Sequence, residues 1–291
     1  MKVKVKCPAS CGELIQGVIG DGEKLISLPI DVFSEVTLEL EKHAKTITNR
    51  PKALLAFKKT LEYFEVRYND VENISMKIDS NIPIAKGMAS STADIAATIV
   101  AVAKLLGKKM NPKLLAELCC KIEPTDSTIF DKLTLFDHIN GRIVENYDWI
   151  PKMKILVLEL DDIVDTEEFR KKDYSTIRYE NKKLIERAYE LFKTSCNKKD
   201  RKLLGEVVTL SSMANQKILF KPMLHEIIDV SLGQGAYGIN VAHSGTVVGI
   251  LYDEKSLDVD RLKYLFNQKN ITKEYTKVYT VNMIKGGVKI I

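Results

Sequence analysis

The 291 residues predict a two-lobed α+β fold, and three observations carry that reading. Apolar residues make up 45% of the chain, enough to bury a large core, and the length lies between one large domain and two ordinary ones. Strand-like and helix-like patterns mix without the regular βαβα alternation of a doubly wound sheet. A turn-rich passage ends at Trp149-Ile150-Pro151, which divides the chain into expected lobes of residues 1–150 and 151–291.

Met1 to Lys6 alternates Val with Lys, the period of two expected of a strand with one buried face, and Cys7-Pro8 is predicted to end it. A second strand is predicted over about Leu25 to Leu40, where SEVTLELE alternates again. Leu54, Leu55, Phe57, Leu61 and Phe64 fall at helical spacings within 51–66, and Ile74 to Ile78 reads as a short strand. The strongest helix signal spans 88–106, because Ile95, Ile99, Val102 and Leu106 share one stripe and Gly107 supplies a stop. Asn111-Pro112 opens a further helix through Cys120. The turn-rich Glu123-Pro124-Thr125-Asp126-Ser127 follows, and then strands lead to the lobe boundary. In the second lobe 154–160, 246–252 and 276–283 read as strands, and 177–196, 201–215 and 222–232 as helices. No internal repeat or low-complexity segment occurs.

Charged residues make up 29% of the chain, yet the formal net charge is only +5. A nucleic-acid surface needs a dense Lys/Arg face. The longest basic bias, Lys193 to Lys202, is interrupted by Ser195, Cys196, Asn197 and Asp200 and reads as a solvated helix end, so no nucleic-acid partner is expected. The start, MKVKVKCPAS, lacks the apolar stretch of a signal peptide, and no apolar run approaches the roughly 18 residues of a membrane span. A cytoplasmic protein without a membrane partner is expected. Five cysteines, odd in number and irregularly spaced, fit reduced thiols better than disulfides. Cys7 and Cys11 are close enough to suggest a metal pair, but only the scattered His43, His138, His225 and His243 could complete it, which argues against structural zinc.

The segment PIAKGMASSTADIAA joins a loop to the strongest helix. Gly87 lets the backbone come close to a ligand, Ala89 adds little bulk, and Ser90, Ser91 and Thr92 place hydroxyls beside the first free N–H groups of the helix. Those donors and the positive end of the helix dipole make an anion site, and one hydroxyl can also bind Mg²⁺. A serine N-cap after an ordinary loop is the competing reading. Gly233-Gln234-Gly235-Ala236-Tyr237-Gly238 matches G-x-G-x-x-G, but a dinucleotide fingerprint follows a strand and opens a helix, whereas here a helical pattern precedes and a strand-like one follows. A flexible turn toward Ala242-His243-Ser244-Gly245-Thr246 is the better reading. The chain contains no G-x-x-x-x-G-K-[ST], no H-R-D and no D-F-G.

Three segments, Pro8-Ala9-Ser10-Cys11-Gly12-Glu13, Pro83 to Ala93 and the Gly/Ser turn near 235–246, resemble the three motifs of the GHMP kinase superfamily in their order. The central one fits P-x-x-x-G-[ML]-x-S-S-x-A, that family's phosphate loop. CPASCGELIQG, LISLPIDVFSEV and IEPTDS are most similar to the L-threonine kinases of cobalamin synthesis. The resemblance implies a first lobe like the second domain of ribosomal protein S5, a ferredoxin-like second lobe, and ATP in the cleft between them. The ATP-binding residues it implies are Pro83, Lys86, Gly87, Met88, Ala89, Ser90, Ser91, Thr92 and Ala93. It further implies transfer of the γ-phosphoryl group to the side-chain hydroxyl of L-threonine.

Related kinases place a catalytic aspartate in a turn after a helix, which selects Asp126 to orient or deprotonate the acceptor. A plain turn, which Pro-Thr-Asp-Ser also favours, is the alternative. Glu123 is assigned to Mg²⁺ together with Ser91. Glu13 and Gln16 lie in the first motif, where family members touch the acceptor or shape its pocket, and Asp31 is assigned to the substrate's ammonium group. His138 and His243 are expected to be structural. The third motif departs from the family, with AHSGTVVG where S-G-A-G-G-G is usual, which puts its role in closing the site in question. The alternatives are a GHMP kinase for homoserine or an isoprenoid alcohol and, from another class, a nucleotide-binding regulator without chemistry. The set Ser90, Ser91, Glu123 and Asp126 speaks against the regulator.

Overall fold

A computed structural model describes residues 1–41, 48–67, 71, 73–162 and 166–291, so His43 lies outside the described residues. β1 (Lys2–Ile19) and β2 (Gly22–Leu40) form one long antiparallel hairpin, paired from Lys2↔Glu39 to Ile19↔Gly22. The Val/Lys alternation does open β1, but Cys7-Pro8 does not close it. The β1–β2 register shifts between Pro8 and Ala9, and such an irregularity is where a strand tolerates a residue without an N–H. β3 (Ile74–Ser80) pairs with the second half of β2. β4 (Leu133–Asp137) meets β2 at Leu25↔Phe136 and pairs with β5 (Arg142–Tyr147).

α1 (Pro51–Tyr63), α2 (Ser90–Leu105) and α3 (Pro112–Cys120) accompany this sheet. α2 packs on β1 and β2 and is flanked by α1 and α3, so it is buried on nearly every side and not along a single stripe. It starts at Ser90 because Ala89 takes the left-handed conformation, φ 61°. Gly107, φ 67°, ends it, and the Lys108 N–H reaches back to the Ala103 carbonyl at 2.8 Å. α3 opens as Asn-Pro predicts: Asn111 Oδ1 accepts the Leu114 N–H at 2.9 Å and Pro112 takes the first helical position.

In the second half β6 (Lys154–Glu159), β7 (Gly238–Val241), β8 (Val248–Tyr252) and β9 (Lys277–Asn282) stand antiparallel in the order β7-β8-β6-β9. Between β6 and β7 come α4 (Thr166–Lys171), α5 (Ser175–Glu180), α6 (Lys182–Lys198), α7 (Arg201–Asn215) and α8 (Leu224–Gly233). α9 (Val259–Gln268) and α10 (Ile271–Glu274) separate β8 from β9. The helix expected over 177–196 is divided at Asn181, whose side-chain amide donates to the Ala214 carbonyl at 2.8 Å. The G-x-G-x-x-G glycines end α8 and begin β7, so no strand precedes them and no helix follows.

The bridge Glu13↔Val241 joins the two sets into a ten-stranded sheet, Ile30↔Met283 bridges β2 to the residue after β9, and β10 (Lys289–Ile290) returns to pair with Val5 and Lys6 of β1. α6 and α7 pack on β1, and Ile185, Phe192, Leu204 and Val208 share the main core with Leu14 and Ile15. A second core cluster, with Leu156, Ile250, Phe266 and Tyr275, gathers β6 and β8 with α9. The product is a mixed α/β fold in which β1 meets β7 at Glu13, one residue after the first motif's glycine. No helix among the described residues is long and apolar enough to cross a membrane.

Candidate active site

The three motifs converge where β1, α2 and the β7–β8 turn meet. The Ser10 N–H bonds the Met88 carbonyl at 3.1 Å, and the Thr246 N–H bonds the Lys86 carbonyl at 3.0 Å. A Cβ on Gly87, φ 77°, would lie 2.5 Å from the Ala242 Cβ and 2.7 Å from the Gly245 Cα, and one on Gly245 would lie 2.2 Å from the Lys86 carbonyl oxygen. Gly87 therefore serves the packing of one loop on another, where the sequence suggests close approach to a ligand. AHSGTVVG keeps the glycine that this contact requires.

These loops border a cleft of about 630 Å³. Pro83, Gly87, Met88, Ala89 and Ser90 to Thr92 line it, with Glu13 and Ser244 from the other two motifs, Arg50 and Lys52 at the start of α1, and Asp94, Glu123 and Asp126. Ala89 is the N-cap of α2, and no side chain caps the helix. The serine N-cap reading thus gives way: Ser90 is the first helical residue, and its buried Oγ has no hydrogen-bond partner among the described residues. First-turn N–H groups with no side-chain cap and an unsatisfied hydroxyl beside a cleft form a receptor for an anion. Ala93 is buried within α2 and does not line the cleft.

Asp126 precedes the 3₁₀ turn Ser127–Ile129 without capping it. Its Oδ2 accepts from the Thr92 hydroxyl at 3.1 Å and its Oδ1 from the Ser27 hydroxyl at 3.5 Å. Other residues hold the turn: the Ser27 N–H donates to Ser127 Oγ at 2.8 Å, the Ser127 N–H to Ser27 Oγ at 2.9 Å, and Thr128 Oγ1 to the Pro8 and Ala9 carbonyls at 3.2 Å. Glu123, only 8% exposed, accepts from Lys52 Nζ at 2.7 Å. Asp94 accepts from the Ser34 hydroxyl and lies 3.6 Å from Arg50, and burial pushes its carboxyl up. Sequence reasoning did not single out Arg50, Lys52 or Asp94, because only the packing of α1 on α2 brings them into one cleft.

Other sequence-selected residues are placed elsewhere. Lys86 is buried, and its ammonium donates to the carbonyls of Leu160 at 2.6 Å, Asp161 at 3.0 Å and Asp162 at 2.7 Å. The side chain ties the loop to the end of β6 and is turned away from any phosphate, which corrects its assignment to ATP. Asp31 is exposed and outside the cleft, and both its oxygens are engaged by Asn282, at 2.7 and 2.6 Å, so it pins β2 to β9 and does not read an ammonium group. Gln16 does not line the cleft, and its N–H donates to Ser211 Oγ at 3.1 Å. Glu13 does line it, and its Oε2 accepts from the His243 N–H at 3.0 Å and from His243 Nδ1 at 2.9 Å. The His138 carbonyl accepts the Thr125 N–H at 3.1 Å, a structural contact. Cys7 and Cys11 are wholly buried, and burial pushes the Cys11 thiol up to about 12.

Residues 53–132 match the family described as "GHMP kinases N terminal domain". The chain is 38% identical over 285 residues to an L-threonine kinase of Citrobacter freundii, covering 98% of each. It is 39% identical to an L-threonine kinase of Salmonella typhimurium, covering 98% of this chain and 94% of that protein. Its fold is similar to the homoserine kinase of Cytophaga hutchinsonii, with a TM-score of 0.70 at 17% identity over 100% of this chain and 97% of the other. With three motifs gathered at one cleft and relatives of this identity along nearly its whole length, the chain belongs to the GHMP kinase family.

Proposed function

We propose that this protein is an ATP-dependent L-threonine kinase that transfers the γ-phosphoryl group to the side-chain hydroxyl, giving O-phospho-L-threonine and ADP for cobalamin synthesis. The observation that carries the reading is 38–39% identity to two L-threonine kinases over 98% of this chain. Residues 1–150 and 151–291 are read as the two lobes, the first like the second domain of ribosomal protein S5 and the second ferredoxin-like. The strand order β7-β8-β6-β9, with helices after β6 and β8, supports the ferredoxin-like assignment.

Phosphoryl transfer asks for charge stabilisation, alignment and an oriented acceptor. The N–H groups opening α2 and the hydroxyls of Ser90, Ser91 and Thr92 receive phosphate oxygens, and Arg50 and Lys52 bring positive charge to the same cleft. Asp126, held by Thr92 and Ser27, aligns the acceptor hydroxyl and takes its proton as the new P–O bond forms. The donor set fits Mg²⁺: Glu123 supplies a carboxylate that already holds a cation, Lys52, and Ser91 a hydroxyl in the same cleft. Mg²⁺ is commonly bound by one or two carboxylates together with substrate phosphates, and Glu123 offers one such carboxylate. An ion held by Glu123 and Ser91 would supply positive charge against the phosphates.

ADP release measured over L-threonine, L-serine, homoserine and isoprenoid alcohols should give the highest kcat/KM with L-threonine. L-serine should be slower by roughly 10- to 200-fold, the worth of one methyl group in an apolar pocket. Faster turnover of homoserine than of threonine would overturn the acceptor assignment and leave the family reading in place.

A further inference from the structure

Behind the cleft a buried polar cluster joins parts of the chain that the phosphate chemistry does not use: Glu13 on β1, His243 in the β7–β8 turn, Ser211 on α7 and Lys221 between α7 and α8. The direction of its hydrogen bonds follows from donor chemistry. The Gln16 backbone N–H donates to Ser211 Oγ at 3.1 Å, and the same hydroxyl lies 3.4 Å from His243 Nε2. A carboxylate oxygen only accepts, so His243 Nδ1–H donates to Glu13 Oε2 at 2.9 Å, beside the His243 N–H at 3.0 Å. Glu13 Oε2 thus receives two donors, while no hydrogen bond from the described residues reaches Oε1.

Glu13 is 5% exposed and lines the cleft together with Asp126 and Ser244. Its Oε2 is occupied by the two His243 donors, and neither reaches the remaining oxygen. Its cationic neighbour is weak. Lys221, 1% exposed, has a single carbonyl partner, Leu219 at 3.2 Å, and burial pushes its ammonium down to about 7, with Glu13 acting in the opposite direction. Oε1 is therefore the carboxylate oxygen left to receive a donor on the cleft side. A small cation with several N–H donors, entering from the cleft, would meet that oxygen.

We propose that His243 is a positioning residue that holds Glu13 Oε2 so that Oε1 receives the ammonium group of an α-amino acid acceptor. The inference rests on the L-threonine reading and deepens it: Asp126 reads the hydroxyl, and Glu13, set by His243, reads the amine. It also gives the unusual third motif a task, since a run of glycines would offer no side-chain donor at position 243. Discrimination would come chiefly from the penalty against acceptors without an amine, which leave a buried carboxylate unpaired.

The test compares wild type, His243→Leu and His243→Asn on L-threonine and on (R)-3-hydroxybutanoate, which is threonine without its amine. Wild type should prefer threonine by about 100-fold or more in kcat/KM. His243→Leu should raise the KM for threonine about tenfold or more, leave the KM for ATP within about twofold, and shrink the preference for the amine-bearing acceptor about tenfold. His243→Asn, whose amide N–H can replace Nδ1–H, should restore most of that preference. Thermal melting reports folding. Should His243→Leu fail to fold, Ser211→Ala, which removes the side chain that orients the His243 ring through Nε2, should reduce the preference in the same direction. A folded His243→Leu or Ser211→Ala variant with unchanged preference, or with threonine and ATP affinities lost in parallel, overturns the proposal. If wild type does not act on threonine, the acceptor reading fails and takes the proposal with it; if it does and the preference survives in the variants, the proposal fails alone.

Discussion

Asp126→Asn separates the chemical step from everything else the turn does. Asn keeps the size of Asp, and its amide oxygen can still accept from the Ser27 hydroxyl, 3.5 Å away. Facing Thr92 Oγ1 at 3.1 Å, the new amide group requires only that the threonine hydroxyl rotate from donor to acceptor. The turn keeps its reciprocal Ser27–Ser127 bonds and the Thr128 bonds to β1. Two charge-assisted hydrogen bonds, the longer one weak at 3.5 Å, become neutral, which costs about 1–2 kcal/mol and lowers the thermal midpoint by about 2–8 °C. The catalytic loss is of another size. Asn cannot take the acceptor's proton or place a negative charge beside the attacking oxygen, so kcat should fall by about 10² to 10⁴. A loose transition state, with little proton transfer when the old P–O bond breaks, favours the lower end. A hundredfold fall adds about 2.7 kcal/mol to the barrier. ADP release at saturating substrates, single-turnover measurements and calorimetric titration with Mg·ATP together test this. A variant that melts normally, binds Mg·ATP, and keeps more than about a third of wild-type kcat with chemistry rate-limiting would reduce Asp126 to a turn residue.

Gly87→Val should cost stability and ATP affinity together. Its Cβ would meet Ala242 at 2.5 Å, and a branched residue at positive φ adds about 1–3 kcal/mol of strain; an unchanged melting point would refute the loop-on-loop contact. Lys221→Met should change the pH dependence of stability. Folding lowers the Lys221 pKa from its ordinary 10.5 to about 7, so between these values the unfolded chain binds the proton and the folded chain does not, and stability rises with pH across that window and is lost as pH falls through 7. The advantage of Lys221→Met over wild type in thermal midpoint should therefore shrink as pH is raised from 7 toward 10, and an offset independent of pH would show that the buried lysine stays charged.

Elements with local signals were legible in the sequence. Gly107 stops α2, Asn111-Pro112 starts α3, and the pattern of 201–215 gives α7 its observed bounds, since caps and periodicity depend on neighbours a few residues away. β1 running through Pro8 was not legible, because what makes that proline acceptable is a register shift against β2. The return of β10 to β1 joins opposite ends of the chain and has no local trace. Side chains of the site divide along the same line. The loop of 83–92, Glu123 and Asp126 were found from their local settings, and all reach the cleft except Lys86. Lys86 and Asp31 were misassigned because the fate of a long or exposed charged group is set by distant partners, here the carbonyls of 160–162 and Asn282. Arg50 and Lys52 escaped notice for the same reason, and His243 was expected to be structural because its contact with Glu13 spans the chain.

Gly87 shows how a correct local reading can carry an incomplete cause. The requirement for glycine is evident from the loop, but the atoms that impose it, Ala242 Cβ and Gly245 Cα, belong to the third motif. The conformation of the phosphate loop is thus a joint property of two segments, fixed by Gly87 against Gly245 and by the Thr246 N–H on the Lys86 carbonyl. Of the positions in the third motif, only 245 must be glycine for that contact. Positions 243 and 244 are then free to carry side chains, and they do: His243 grips Glu13 and Ser244 faces the cleft. A departure that looks in sequence like a degraded glycine run therefore keeps the packing function of the motif and adds polar groups where an acceptor would be read.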